Sequence, residues 1–126
     1  MSCIFLECSG SLENSIEIID QEGVISSPGW PIIFLPQIQC AWNISSFANQ
    51  QIFLKFTYFN KTDKIDILIN ENRIGSFPEN IIKTDSGINR VRYRSPSYNF
   101  NSLYGFRLFY KICTLICYSN YLYLKM

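Results

Sequence analysis

Apolar residues in this chain recur at every second position in short runs, and turn-forming residues separate the runs. A period of two places successive side chains on opposite faces of a strand, so the runs read as strands, and none reads as a helix. Gln51 to Phe59 shows it most clearly, with Ile52, Leu54, Phe56 and Tyr58 on one face and Lys55 and Thr57 on the other. Ser15 to Ile19, Gly23 to Ser26, Gln39 to Ser45, Lys64 to Ile69, Ile88 to Arg94 and Gly105 to Ile112 read as further strands. Their inward residues are expected to include Cys40, Trp42, Ile44, Val91, Tyr93, Phe106, Leu108 and Tyr110. Ser27-Pro28-Gly29 and Asn70-Glu71-Asn72 read as turns, and Gly75 and Pro78 as loop residues. Strands without helical crossovers point to an antiparallel sandwich, a jelly roll or a barrel.

Composition narrows the function classes. The 126 residues suit one domain, and 48% hydrophobic with 17% charged residues describe a globular chain. The absence of His removes the Ser-His and Cys-His nucleophile pairs and the His-based zinc sites together. A net charge of +1 gives no bulk reason to expect nucleic acid or a membrane surface. The acids Asp63, Asp66, Glu71 and Asp85 show no pairing that would set one carboxyl against another as acid and base. No enzyme activity is expected of the chain by itself.

There are five cysteines, Cys3, Cys8, Cys40, Cys113 and Cys117, so at least one lacks an internal partner. Neither close pair has the C-x-x-C spacing of a redox or zinc motif. Met1 to Gly10 lacks the charged and apolar regions of a secretory signal. The apolar stretch Ile112 to Leu124 is broken by Ser119 and Asn120 and is too short to span a bilayer. The chain is therefore expected to be a piece of a larger secreted protein, or a product that has lost its ends.

Several motifs occur in a telling order. Cys8 and Gly10 precede Gly23-Val24-Ile25-Ser26-Ser27-Pro28, then Trp30-Pro31 and Phe34, then Cys40-Ala41-Trp42-Asn43-Ile44. Phe56-Thr57-Tyr58-Phe59 and an Asp at 63 or 66 follow, and Gly105-Phe106 opens a strand that reaches Tyr110. From Cys8 to Tyr110 the chain resembles a CUB domain. The resemblance implies an all-β, jelly-roll-like antiparallel sandwich of two sheets over 8–112. Residues 1–7 would be an N-terminal extension, and 113–126 a tail or the start of a following module. It also implies a disulfide between Cys8 and Cys40, worth about 3–4 kcal/mol by the chain-entropy argument, in an oxidising compartment. The second disulfide of many family members is missing, because no cysteine lies between Cys40 and Cys113.

Many members of the family also bind calcium, which needs several oxygen ligands. Here the position of the family's Glu falls near Thr62, Asp63 or Asp66 supplies one Asp, and Ser95-Pro96 replaces the other. Phe34 stands for the supporting Tyr, and Asn99 matches an Asn of the loop. The set is incomplete, so no metal and no cofactor is expected.

Asn43-Ile44-Ser45 and Asn60-Lys61-Thr62 are glycosylation sequons, so Asn43 and Asn60 are candidates if the protein is secreted. Arg90, Arg92 and Arg94 alternate and share one face, with Phe109 expected outward beside them. That face reads either as a solvated outer surface that discourages aggregation or as a contact for an acidic partner. Trp42 is expected in the core, and Trp30 in a turn where it either packs as a lid on the core or serves a partner, with packing favoured. The functional expectation is a non-catalytic extracellular or cell-surface module that binds a protein or an acidic glycan. The alternative is an accessory substrate-recognition domain of a secreted protease whose catalytic domain lies outside this chain.

Overall fold

The computed structural model describes residues 15–18, 20–28, 38–95 and 104–114. Nine strands run through them: β1 (Ile16–Ile18), β2 (Glu22–Ser26), β3 (Gln39–Ser46), β4 (Gln50–Asn60), β5 (Asp66–Ile69), β6 (Asn72–Arg73), β7 (Ile82–Thr84), β8 (Gly87–Arg94) and β9 (Gly105–Thr114). They form a five-stranded sheet in the order β1-β3-β8-β5-β6 and a four-stranded sheet in the order β2-β9-β4-β7. Neighbours are antiparallel except β1 and β3, which are parallel. From β3 onward the chain repeatedly changes sheet, so its central pairings, β3 with β8 and β4 with β9, join residues far apart in sequence. Among the described residues, no helix is long and apolar enough to cross a membrane.

The inward faces close on Phe106, which is fully buried. Its ring meets Trp42 edge-on at 5.9 Å, Phe56 at 6.0 Å and Tyr93 at 5.7 Å. Edge contacts of this kind add about 0.5–1.5 kcal/mol each beyond the buried area. Ile44, Ile52, Leu54, Ile65, Ile67, Val91 and Leu108 fill the rest. The inward residues expected of β3, β8 and β9 all lie in this core.

Tyr58 does not. The register between β4 and β9 slips between Phe56 and Tyr58, which leaves Thr57 as the extra residue of a bulge. The slip reverses the alternation, so Phe59 rather than Tyr58 packs on the core, with its ring 5.2 Å from Phe56. The Thr57 hydroxyl donates to the Arg107 carbonyl across the bulge.

Two sequence motifs acquire reasons. Gly23 lies opposite Tyr110, and a Cβ there would come within 2.9 Å of the phenol ring, so the ring needs a glycine beneath it. Ser27 is buried and closes the end of β2: its Oγ accepts from the Phe106 N–H and its own N–H donates to the Phe106 carbonyl. The Ser-Pro and Gly-Phe motifs are thus the two halves of one junction.

The boundaries differ from the expectation in three places. The turn is Asn70-Glu71 alone, both at positive φ (51° and 67°), and it joins β5 to the unforeseen strand β6 as a two-residue hairpin. β7 was also unforeseen, because three residues are too few to show a period. β9 runs to Thr114, so Cys113, expected in the tail, is part of a strand and is buried.

Candidate functional site

The outward face of the five-stranded sheet carries the arginine row. Cross-strand register places Arg90 opposite Asn43, Arg92 between Ala41 and Leu68, and Arg94 between Gln39 and Asp66. Residues that face each other across strands lie on the same side of the sheet, so a polar ladder results.

Each rung is built differently. Arg90 Nε donates to Asn43 Oδ1 at 3.1 Å and its Nη2 to the Ser15 hydroxyl at 3.1 Å, while Asn43 Nδ2 donates to Glu17 at 2.8 Å. Arg92 Nη1 pairs with Glu71 at the tip of the β5–β6 turn, which gives the strained Glu71 backbone a compensating contact. Arg94 Nη2 pairs with Asp66, and Arg73 Nε approaches the other oxygen of the same carboxylate at 3.6 Å. Asp66 is 6% exposed, so its charge is held in the sheet by guanidinium groups, whose own side chains remain 60% (Arg94) and 65% (Arg73) exposed. A cavity of about 200 Å³ lies here, bounded by Asp66, Leu68, Arg73, Arg92, Tyr93 and Arg94.

Behind this rung Tyr93 points into the core. Burial pushes its phenol up from 10.0 to about 12, and a hydrogen bond with Ser95 opposes the rise. Ser95 also ties β8 to the start of β3, since its Oγ accepts from the Ile38 N–H and its N–H donates to the Ile38 carbonyl.

The residues expected to form one binding face do not do so. Arg90, Arg92 and Arg94 lie on β8 in the five-stranded sheet, whereas Phe109 lies on β9 in the four-stranded sheet. Phe109 is half-buried against a second apolar cluster of Phe53, Cys113 and Ile81. Sequence alternation reports which side of its own strand a residue takes, not which sheet the strand joins. Arg73 is the member of the arginine cluster that sequence reading missed. It belongs to β6, a strand of two residues, and only the hairpin brings it beside Asp66.

Cys40 and Cys113 are each disulfide-bonded. Cys40 faces the core, and Cys113 belongs to the second cluster, outside the opposite sheet. Packed sheets stand about 10 Å apart, beyond the Cα separation that one disulfide spans, so the two are not joined to each other. Cys3, Cys8, Cys117, Trp30, Phe34 and Asn99 lie outside the described residues. Asn60 ends β4 opposite Gly105 and is half-buried.

The described residues do not fit a calcium ion. Asp66, not Asp63, opens the strand, and its carboxylate is already committed to two guanidinium groups. Asp63 is exposed in the turn before it, where the Lys61 ammonium donates to the Thr62 carbonyl at 3.0 Å. Cations already occupy this end of the sheet. The remaining acids named from sequence are dispersed: Glu71 pairs with Arg92, and Asp85 is exposed between β7 and β8.

The family model for the CUB domain matches residues 8–110. The chain belongs to the CUB domain family. The relatives agree. Human cubilin is 40% identical over 45 residues, 36% of this chain, and pig cubilin is 38% identical over the same length. This CUB domain spans 1% of the length of either protein. The CUB1-EGF-CUB2 domains of rat MASP-1 superpose with a TM-score of 0.61 at 18% identity, over 79% of this chain and 42% of that one. The extracellular region of zebrafish Gpr126/Adgrg6 gives 0.63 at 15% identity, over 80% of this chain and 15% of that one. The MASP-1 CUB2 domain bound to Ca2+ gives 0.60 at 22% identity, over 76% and 96%. The two-sheet fold is therefore shared with that calcium-bound domain, while the cation-binding chemistry is not seen among the described residues of this CUB domain. CUB domains are in general non-catalytic extracellular interaction modules within larger proteins.

Proposed function

We propose that this CUB domain is a non-catalytic binding module of a larger secreted or cell-surface protein, and that it meets an acidic extracellular partner with the outward face of its five-stranded sheet. The observation that carries the reading is the excess of guanidinium on that face: Arg73, Arg90, Arg92 and Arg94 against Asp66, Glu71 and Glu17. Opposed charges of this kind favour encounter and register more than raw affinity. A disulfide between Cys8 and Cys40 is part of the proposal, as is a glycan at Asn60. At Asn43 a glycan would displace Glu17 from the amide and stand beside Arg90, on the contact face itself.

The test is a binding screen of the immobilised domain against recombinant extracellular proteins and sulfated oligosaccharides, repeated with Arg90→Glu and with Arg107→Glu. Arg107 is exposed on β9 in the other sheet and serves as the control. Arg90→Glu is expected to weaken partner binding about tenfold or more, the size of one lost charge-assisted contact. Arg107→Glu should leave binding unchanged, with both variants checked for intact melting temperature. The reverse result would move the contact to the four-stranded sheet.

A further inference from the structure

The geometry points to a carboxylate site: we propose that the cavity bounded by Arg73, Arg92 and Arg94 receives one Asp or Glu side chain of a partner protein. The inference rests on the contact face proposed above and names the chemistry of one point on it.

Three features of the cavity carry the argument. Its charge is unbalanced, since three guanidinium groups stand against the two carboxylates of Asp66 and Glu71. Its donors are in excess. A guanidinium offers five N–H groups, whereas Arg92 and Arg94 each pair through one terminal nitrogen, and Arg73 reaches Asp66 only at 3.6 Å. That distance is too long for a hydrogen bond, so the planar fork of Arg73 is available for a bidentate contact. Arg73 and Arg94 are also more than half exposed, so a ligand reaches them without unfolding anything.

Size and surroundings choose between carboxylate sources. About 200 Å³ is room for the end of a side chain, not for a length of polymer. A sulfated glycan would need a field of unopposed cations. Here Glu71 flanks the cavity at the turn tip, Glu17 lies across the face, and the chain as a whole carries only +1. A polyanion is repelled by those acids, whereas a single carboxylate seated on Arg73 and Arg94 is not. The rigidity of β5 and β8 holds the site, because Asp66 fixes Arg94 from below.

The experiment is NMR of the arginine Nε–Hε groups in the 15N-labelled domain. The probe is N-acetyl-glutamate amide, titrated at constant ionic strength by exchange against sodium chloride, with sodium sulfate as a second arm. Saturable shifts at Arg73, Arg92 and Arg94, with Arg90 and Arg107 still, are the expected result. Arg73→Gln should weaken the response at least tenfold at unchanged melting temperature, and Arg73→Lys should restore only part of it because the fork is lost. Linear shifts shared by all the arginines, a response that Arg73→Gln leaves intact, or tighter binding of sulfate than of the glutamate probe would each overturn the carboxylate site. If the cavity stays silent while Arg90→Glu still abolishes partner binding, the site falls and the contact face stands. If neither responds, both fall.

Discussion

The two outward faces of this sandwich solve the same problem in opposite ways. The face of the five-stranded sheet is a ladder of paired polar groups: Glu17 to Asn43 to Arg90, Glu71 to Arg92, and Asp66 to Arg94 and Arg73. The face of the four-stranded sheet is partly apolar, with Phe53 and Cys113 buried at 1% and 2% exposure beside Ile81 and half-buried Phe109. Near its edge stands the ion pair of Lys111 with Glu22, at 3.6 Å. Alternation along a strand therefore does not mean that the outward set is wet. One sheet turns its second face into a charged surface, and the other into a small second core that holds a disulfide-bonded cysteine.

The strongest way to break this comparison is at Phe53. If the second cluster is a core in its own right, Phe53→Ala costs about 3–5 kcal/mol, as for other buried aromatics. Denaturant unfolding measures this. A loss under about 1 kcal/mol would make the four-stranded face an ordinary surface and erase the contrast.

The inner side of the charged sheet is probed by pH. Tyr93 keeps its proton to about pH 12 in the folded chain but loses it near 10.0 when unfolded. Above pH 10 the unfolded state binds fewer protons than the folded state, so stability falls as pH rises. The contribution is fully present below pH 10 and is lost progressively as pH rises through about 12, on the order of 3 kcal/mol in all. Tyr93→Phe should remove that part of the slope in urea melts at pH 9, 10, 11 and 12. An unchanged slope would mean that Tyr93 is more open from the arginine side than its packing shows.

The smallest effect concerns the ladder itself. Arg94→Met leaves buried Asp66 with only the more distant Arg73, and should cost about 1–2 kcal/mol. The figure lies below that of a fully buried pair because Arg94 is half in water. Adding Asp66→Leu should recover most of the loss, since a carboxylate no longer has to be held in the sheet. Thermal unfolding of the two single variants and the double variant closes the cycle. Additive losses would show that the rung does not act as a pair.

Much of the fold was legible because burial on one side of a strand leaves a period of two. Cys40, Trp42 and Ile44, Val91 and Tyr93, and Phe106, Leu108 and Tyr110 could be assigned inward from spacing alone. The misreadings fell where the period carries no information. A bulge at Thr57 exchanged Tyr58 for Phe59, and β6 and β7 were too short to have a period. The candidate site was half legible. Three arginines at alternate positions had to share a face, but Phe109 was assigned to that face without any signal naming its sheet. Arg73 could not be found, because a residue enters a site by hairpin geometry and not by spacing.

The sequence carries the local part: most strands, their inward faces, and the Ser-Pro and Gly-Phe motifs that became one junction. These follow from steric and hydrophobic rules that act over a few residues. That Asp66 is held by Arg94 and Arg73, and that the arginines and Phe109 look in opposite directions, came only with the three-dimensional arrangement. Sheet order joins strands distant in the chain, and a charge acquires its partners from that order and not from its neighbours in sequence.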